Sequence, residues 1–133
     1  MKYELRQMQK QGSGGAIVNF SSLTALRSPS NYQDAYASAK AGVISLTRLA
    51  AMRHTREGIR VNTILPGAID TPMLRDAMER RGTSVEEMAK NYSLTGKAGT
   101  PEEIAEAVMW LCSEYSSYVV GANLPVDGGA LIG

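Results

Sequence analysis

Three residue types set at fixed intervals carry the chemistry in this chain. Tyr36 and Lys40 stand four apart in Tyr36-Ala-Ser-Ala-Lys40, and Ser22 lies 14 residues before the tyrosine. Residues four apart on a helix share a face, about one turn from each other. An ammonium beside a phenol favours the phenolate, and a phenol that titrates closer to neutrality becomes a usable general acid–base. A serine hydroxyl just upstream can hold a carbonyl or hydroxyl oxygen in front of that phenol. The trio therefore suits proton transfer to or from an alcohol oxygen while a hydride moves elsewhere. Tyr-x-x-x-Lys by itself recurs on many helices as a surface pair worth a few tenths of a kcal/mol, so its meaning depends on the elements around it.

Those elements alternate in type. Residues 1–11 carry Met1, Leu5 and Met8 at helical spacing, and Gly12-Ser-Gly-Gly15 breaks the pattern as a helix-to-strand turn. Ala16–Ser21 reads as a strand, and Ser22 to Asp34 as a loop punctuated by Ser28-Pro29-Ser30-Asn31. Asp34 is the expected N-cap of a helix that carries Tyr36 and Lys40 and ends near residue 56, before Gly58. Val43, Leu46, Leu49, Ala50 and Met52 mark its expected apolar side. A strand follows over Ile59–Leu65, centred on Val61–Leu65, then the turn Pro66-Gly67. Short helices are predicted over Pro72–Arg80 and Val85–Tyr92. Thr100-Pro101-Glu-Glu103 opens another helix with a hydroxyl cap, a first-position proline and acids in the first turn. Its expected apolar face is Ile104, Ala107, Val108, Leu111 and Cys112, with Trp110 in the core or at a subunit interface. Val119–Val126 closes the chain as a third strand. Strand and helix in alternation predict βαβ units, hence an α/β fold with a parallel sheet.

Composition removes several functions. The 133 residues fit one domain, with 44% hydrophobic and 20% charged residues. A net charge of +1, with basic residues scattered, gives no nucleic-acid footprint. One histidine and one cysteine leave no ligand set for a metal, so none is expected. The single cysteine, Cys112, cannot form an internal disulfide, and its apolar neighbours predict a buried, inert thiol. No apolar run approaches a membrane span, and the N-terminus does not read as a signal peptide, so a cytoplasmic protein without a membrane partner is expected.

Gly15-Ala-Ile-Val-Asn-Phe-Ser-Ser22, the Tyr36–Lys40 motif, Ile59-Arg-Val-Asn-Thr-Ile-Leu-Pro-Gly67 with Thr71, and Val119 to Gly129, in this order, closely resemble the C-terminal half of the short-chain dehydrogenase/reductase family. The resemblance covers essentially the whole chain. It implies the last three strands and flanking helices of a doubly wound, Rossmann-type sheet, forming residues 1–133 of a single NAD(P)-binding domain. It assigns Tyr36 as acid–base, Lys40 as the residue that tunes it and bonds the nicotinamide ribose, and Ser22 as the substrate-orienting hydroxyl. The family spacing is most often 13, and Ser22 stands 14 and Ser21 15 residues before Tyr36, so Ser22 is preferred and Ser21 is the competing serine. Pro66, Gly67, Ile69 and Thr71 match the second cofactor segment: backbone groups at Ile69 for the carboxamide, the Thr71 hydroxyl for the pyrophosphate. Residues 72–98 match the substrate lid, with Asp70 a solvated turn residue.

The resemblance further implies NAD or NADP as cofactor, a small-molecule alcohol or carbonyl substrate, and a homodimer or homotetramer. The family's glycine-rich dinucleotide fingerprint, its Asn-Ala-Gly element and its catalytic asparagine have no counterpart here. Asn19 and Asn62 lie within strands and do not replace it. The sequence thus reads as half an enzyme whose first strand would show an open edge. A non-catalytic interaction module of the same descent is the alternative, and dehydration or epimerisation by the same residues a third.

Overall fold

The apolar residues of one strand decide the sheet. Val61, Ile64 and Leu65 of the central strand have no exposed surface, and neither does Ile59 at its start. The strand is covered on both faces: its polar members Asn62 and Thr63 are buried with the apolar ones, and only Arg60 and Pro66 are partly exposed. The computed structural model describes residues 1–27 and 34–133; the Ser28-Pro29-Ser30-Asn31 stretch lies outside the described residues. The elements are α1 (Lys2–Gln11), β1 (Gly15–Phe20), α2 (Asp34–His54), β2 (Ile59–Pro66), α3 (Pro72–Glu79), α4 (Val85–Tyr92), α5 (Pro101–Cys112) and β3 (Asn123–Val126). The three strands form one parallel sheet in the order β1-β2-β3. Gly15 to Phe20 run beside Ile59 to Ile64, and Thr63 to Pro66 beside Asn123 to Val126. The predicted α/β architecture, three parallel strands with flanking helices, is therefore the observed one.

Alternation along the strands sorts the two faces. Ile17, Ile59 and Val61 pack with Ala50 and Ala51 of α2, and Met1, Leu5 and Met8 close over them from α1. Each large side chain sealed there contributes about 1.5–3 kcal/mol. A second cluster, Leu23, Ile44, Leu65 and Ala130, lies further toward the C-terminal ends of the strands. The opposite face carries Arg60, whose guanidinium donates to the carbonyls of Leu111 (2.9 Å) and Ser113 (3.0 Å) and to Ser116 Oγ (3.0 Å). Those bonds fasten the end of α5 to the sheet.

Local stops follow the residue chemistry. Gly12 ends α1 at φ 70 and lets its N–H reach Met8 O. Thr100 and Glu103 form a reciprocal capping box at α5, as its start signals predict. Several boundaries differ from expectation. Asp34 lies inside the first turn of α2 rather than capping it, and α2 hands over at His54 to a 3-10 turn that Gly58 closes at φ 76. The third strand is four residues long, not eight, because Val119–Ala122 turn instead, with Gly121 at φ 68 and Asn62 bonding Val119 O and Ala122 N. Cys112 is exposed and Trp110 is 42% exposed, so neither lies in the core. The inward side of α5 is narrower than the sequence suggests: Ile104 and Leu111 alone are buried.

Candidate active site

Tyr36 and Lys40 meet at the C-terminal end of β1, two residues before Ser22 in the chain; doubly wound sheets place their ligands at such strand ends. Two bonds clamp α2 to that strand end. Ser21 Oγ donates to Lys40 O (2.8 Å), and Lys40 Nζ donates to Phe20 O (3.0 Å). The same ammonium stands 5.7 Å from the centre of the Tyr36 ring, within cation–π range. Tyr36 is 48% exposed, in the first turn of α2. Ser22, two residues past the strand, is extended and caps the turn Leu23–Ala25: its Oγ accepts from Thr24 N–H (3.2 Å) and donates to Thr24 Oγ1 (3.2 Å). The structure thus brings Tyr36 and Lys40 together and ties both to the segment bearing Ser22. Ser21 is buried and spent on the clamp, whereas Ser22 is partly exposed and its hydroxyl is bonded to Thr24.

The second segment follows β2. Pro66 is the last strand residue, and Gly67 N–H donates to Val126 O (3.0 Å). A Cβ on Gly67 would stand 2.7 Å from Asp127 Cα, so glycine is required here by the neighbouring backbone. Ile69 forms a parallel bridge with Gly99, using Asp70 N–H to Gly99 O (2.8 Å) and Gly99 N–H to Ala68 O (2.9 Å). In that geometry the N–H and C=O of Ile69 itself turn away from Gly99. Thr71 caps α3: its Oγ1 accepts from Leu74 N–H (3.3 Å), which leaves the hydroxyl proton to donate elsewhere. A cleft of about 160 Å³ opens between Ile69, Lys97, Glu103 and Asp127. It borders the Ile69 segment and contains none of Ser22, Tyr36 or Lys40.

Asp70 is an ion-pair residue rather than a free turn acid. Arg75 donates to it twice, at 2.6 and 2.7 Å, and holds its carboxyl below the usual carboxylate range. Within the 72–98 stretch, Met78, Val85 and Ala89 are buried packing residues, while Met73 points to solvent. Tyr92 packs against the Leu23–Leu65 cluster, and burial pushes its phenol up, with Arg27 opposing.

Two features near the site escaped the sequence. Arg27 Nη1 donates to Ala130 O, joining the Ser22 turn to the C-terminal turn. Asp127 accepts from Gly129 N–H (3.0 Å) and Leu131 N–H (2.8 Å), which fixes that turn. No spacing rule connects Arg27 to a carbonyl 103 residues away.

Comparison with known proteins fits this geometry. A family model described as Enoyl-(Acyl carrier protein) reductase matches residues 1–130. The chain belongs to the short-chain dehydrogenase/reductase family. Over 129 residues it is 44% identical to a short chain dehydrogenase/reductase of Aspergillus oryzae, covering 97% of this chain and 49% of that protein. It is 45% identical over 129 residues to cis-4-hydroxycyclohexanecarboxylate dehydrogenase of Sinomonas cyclohexanicum, covering 96% of this chain and 49% of that protein. The crystal structure of levodione reductase superposes with a TM-score of 0.83 at 40% identity, covering 93% of this chain and 49% of that one. ElxO with NADP bound gives 0.87 at 37% identity, covering 98% and 52%. The chain spans about half the length of the curated relatives it matches. Among the described residues no helix is long and apolar enough to cross a membrane, and no cluster of three metal-ligating side chains occurs.

Proposed function

We propose that this chain carries the acid–base half of an NAD(P)-dependent oxidoreductase that interconverts a secondary alcohol and a ketone. The clamp at the end of β1 carries this reading: one lysine bonds the strand beside Ser22 and faces the Tyr36 ring. In the oxidative direction Tyr36 takes the proton from the alcohol oxygen as the carbon–hydrogen bond breaks, and in reduction it returns that proton. Lys40 keeps two donors free after its bond to Phe20 O, enough to support the phenolate and a ribose hydroxyl. Ser22 holds the reacting oxygen in front of the phenol. The nicotinamide cofactor, when bound, accepts or supplies the hydride.

Residues beyond β2 suit that cofactor. The unspent N–H and C=O of Ile69 match a carboxamide, the free proton of Thr71 matches a phosphate oxygen, and Pro66-Gly67 aims both. No glycine-rich strand–turn–helix cradle for the pyrophosphate lies within these 133 residues, so polypeptide outside them completes the cofactor site. The same reading has helices α1 and α2 pair with a second copy, through Tyr3, Leu46, Leu49 and Met52, all exposed.

Calorimetric titration of the intact protein with NAD and NADP, followed by turnover of secondary alcohols and ketones, tests this. Saturable binding is expected, with turnover lost in Tyr36→Phe by about 10²–10⁴-fold and binding retained. A folded protein that binds neither nucleotide, or a Tyr36→Phe variant as active as the parent, refutes it and leaves a non-catalytic interaction module.

A further inference from the structure

A row of polar side chains crosses the α2 face of the sheet between its two apolar clusters. Asn19, Thr63 and Asn123 are register partners on β1, β2 and β3, so they stand side by side across the three strands. Thr47 of α2 lies above the row with no exposed surface, and Asn19 Nδ2 donates to its Oγ1 at 2.9 Å. Apolar residues flank the row on both sides: Val61 with Ala50 and Ala51 below, Leu65 with Ile44 above.

One end of the row is satisfied and the other is not. Thr63 Oγ1 and Asn123 Oδ1 are both sealed from solvent, and neither has a hydrogen-bond partner among the described residues. Thr63 has no exposed surface at all. A buried polar atom loses its water bonds on folding and needs a replacement, which is why such atoms are rarely left unpaired. Here two occur on adjacent strands, roughly 4.8 Å apart in backbone spacing. The two make no hydrogen bond to each other, and a hydroxyl beside an amide oxygen suits one small molecule that both donates and accepts. The pair offers one neutral hydroxyl and one amide oxygen, a donor and an acceptor that suit a water molecule.

We infer that Thr63 and Asn123 hold one internal water molecule beneath α2. The water accepts from the Thr63 hydroxyl and donates to Asn123 Oδ1, which completes the polar row begun by Asn19 and Thr47. Internal waters of this kind commonly make two to four such bonds. The row then has a consequence for α2. Sliding the helix by a turn would move Thr47 off Asn19 and onto apolar side chains, so the satisfied row fixes the axial position of the helix that carries Tyr36 and Lys40.

A crystal structure of the intact protein that resolves ordered solvent tests this, together with melting of Thr63→Val and Thr63→Ser. The expected result is a solvent peak within hydrogen-bond distance of both oxygens. Thr63→Val, which keeps the shape and removes the hydroxyl, should lose the peak and lower Tm by about 4 °C, whereas Thr63→Ser should keep both. An empty site in the parent structure overturns the inference. A Thr63→Val variant that melts at or above the parent temperature also overturns it, because removing a truly orphaned hydroxyl costs nothing. Should Thr63→Val fail to fold, the solvent peak in the parent and in Thr63→Ser decides the question alone.

Discussion

Gly67→Ala isolates what the Pro66-Gly67 turn needs glycine for. The Cβ added there would lie 2.7 Å from Asp127 Cα, 2.9 Å from its Cβ and 3.0 Å from its carbonyl oxygen. Two of those atoms are backbone, so no side-chain rotation relieves the clash. The end of β3 must retreat by about 0.7 Å to reach the edge of ordinary contact. That end is held by Gly67 N–H to Val126 O and by the Asp127 carboxylate bonds to Gly129 and Leu131, so the shift is resisted. Overpacking of this kind costs about 1–3 kcal/mol, which for a domain of this size is roughly 4–12 °C in Tm. Gly42→Ala is the internal control. Gly42 lies within α2 with nothing within 4 Å of an added Cβ, so alanine there should stabilise by about 0.5–1 kcal/mol. Thermal melting of the intact protein, monitored by circular dichroism, reads both. If the Gly67→Ala Tm is unchanged while Gly42→Ala rises, the packing argument fails, and cofactor approach becomes the reason for glycine at 67.

Three further outcomes follow from the same geometry. Lys40→Met removes the bond to Phe20 O and the cation beside Tyr36, and should lower kcat by at least about 10²-fold with the fold intact by circular dichroism. Thr100→Ala breaks the capping box of α5 and should cost about 1 kcal/mol in denaturant melts. The Asp70 carboxyl titrates below its unfolded value because Arg75 bonds it, so its stabilising effect is present at neutral pH and lost as pH falls through that lowered value. Asp70→Asn should therefore flatten the acid end of the Tm–pH curve and leave the alkaline end unchanged.

Local signals in the sequence carried the element order, the parallel sheet and the Tyr36–Lys40 pair. Spacing alone puts that pair on one helical face, and Thr100-Pro101-Glu-Glu103 caps α5 because capping is a contact between residues three apart. The inward face of α2 was not legible in the same way. Leu46, Leu49 and Met52 read as a core stripe but face outward, while Ile44, Thr47, Ala50 and Ala51 are buried. The helix has apolar residues on several sides, so its own pattern does not choose a face. The sheet chooses it, through the Asn19–Thr47 bond and the clamp at Phe20 and Ser21. The exposure of Cys112 likewise depends on which side of α5 Arg60 draws against the sheet.

What the sequence determined by itself was the chemistry available: a phenol and an ammonium at an interval that helix pitch alone converts into proximity, with a serine hydroxyl 14 residues upstream. What only the tertiary structure decided was that Ser21 fastens β1 to α2, why position 67 must be glycine, and how Arg27 reaches Ala130. Each of these is a contact between segments far apart in the chain, where the partner is set by the sheet register and the packing of two layers. Spacing along one strand or helix holds no record of that partner.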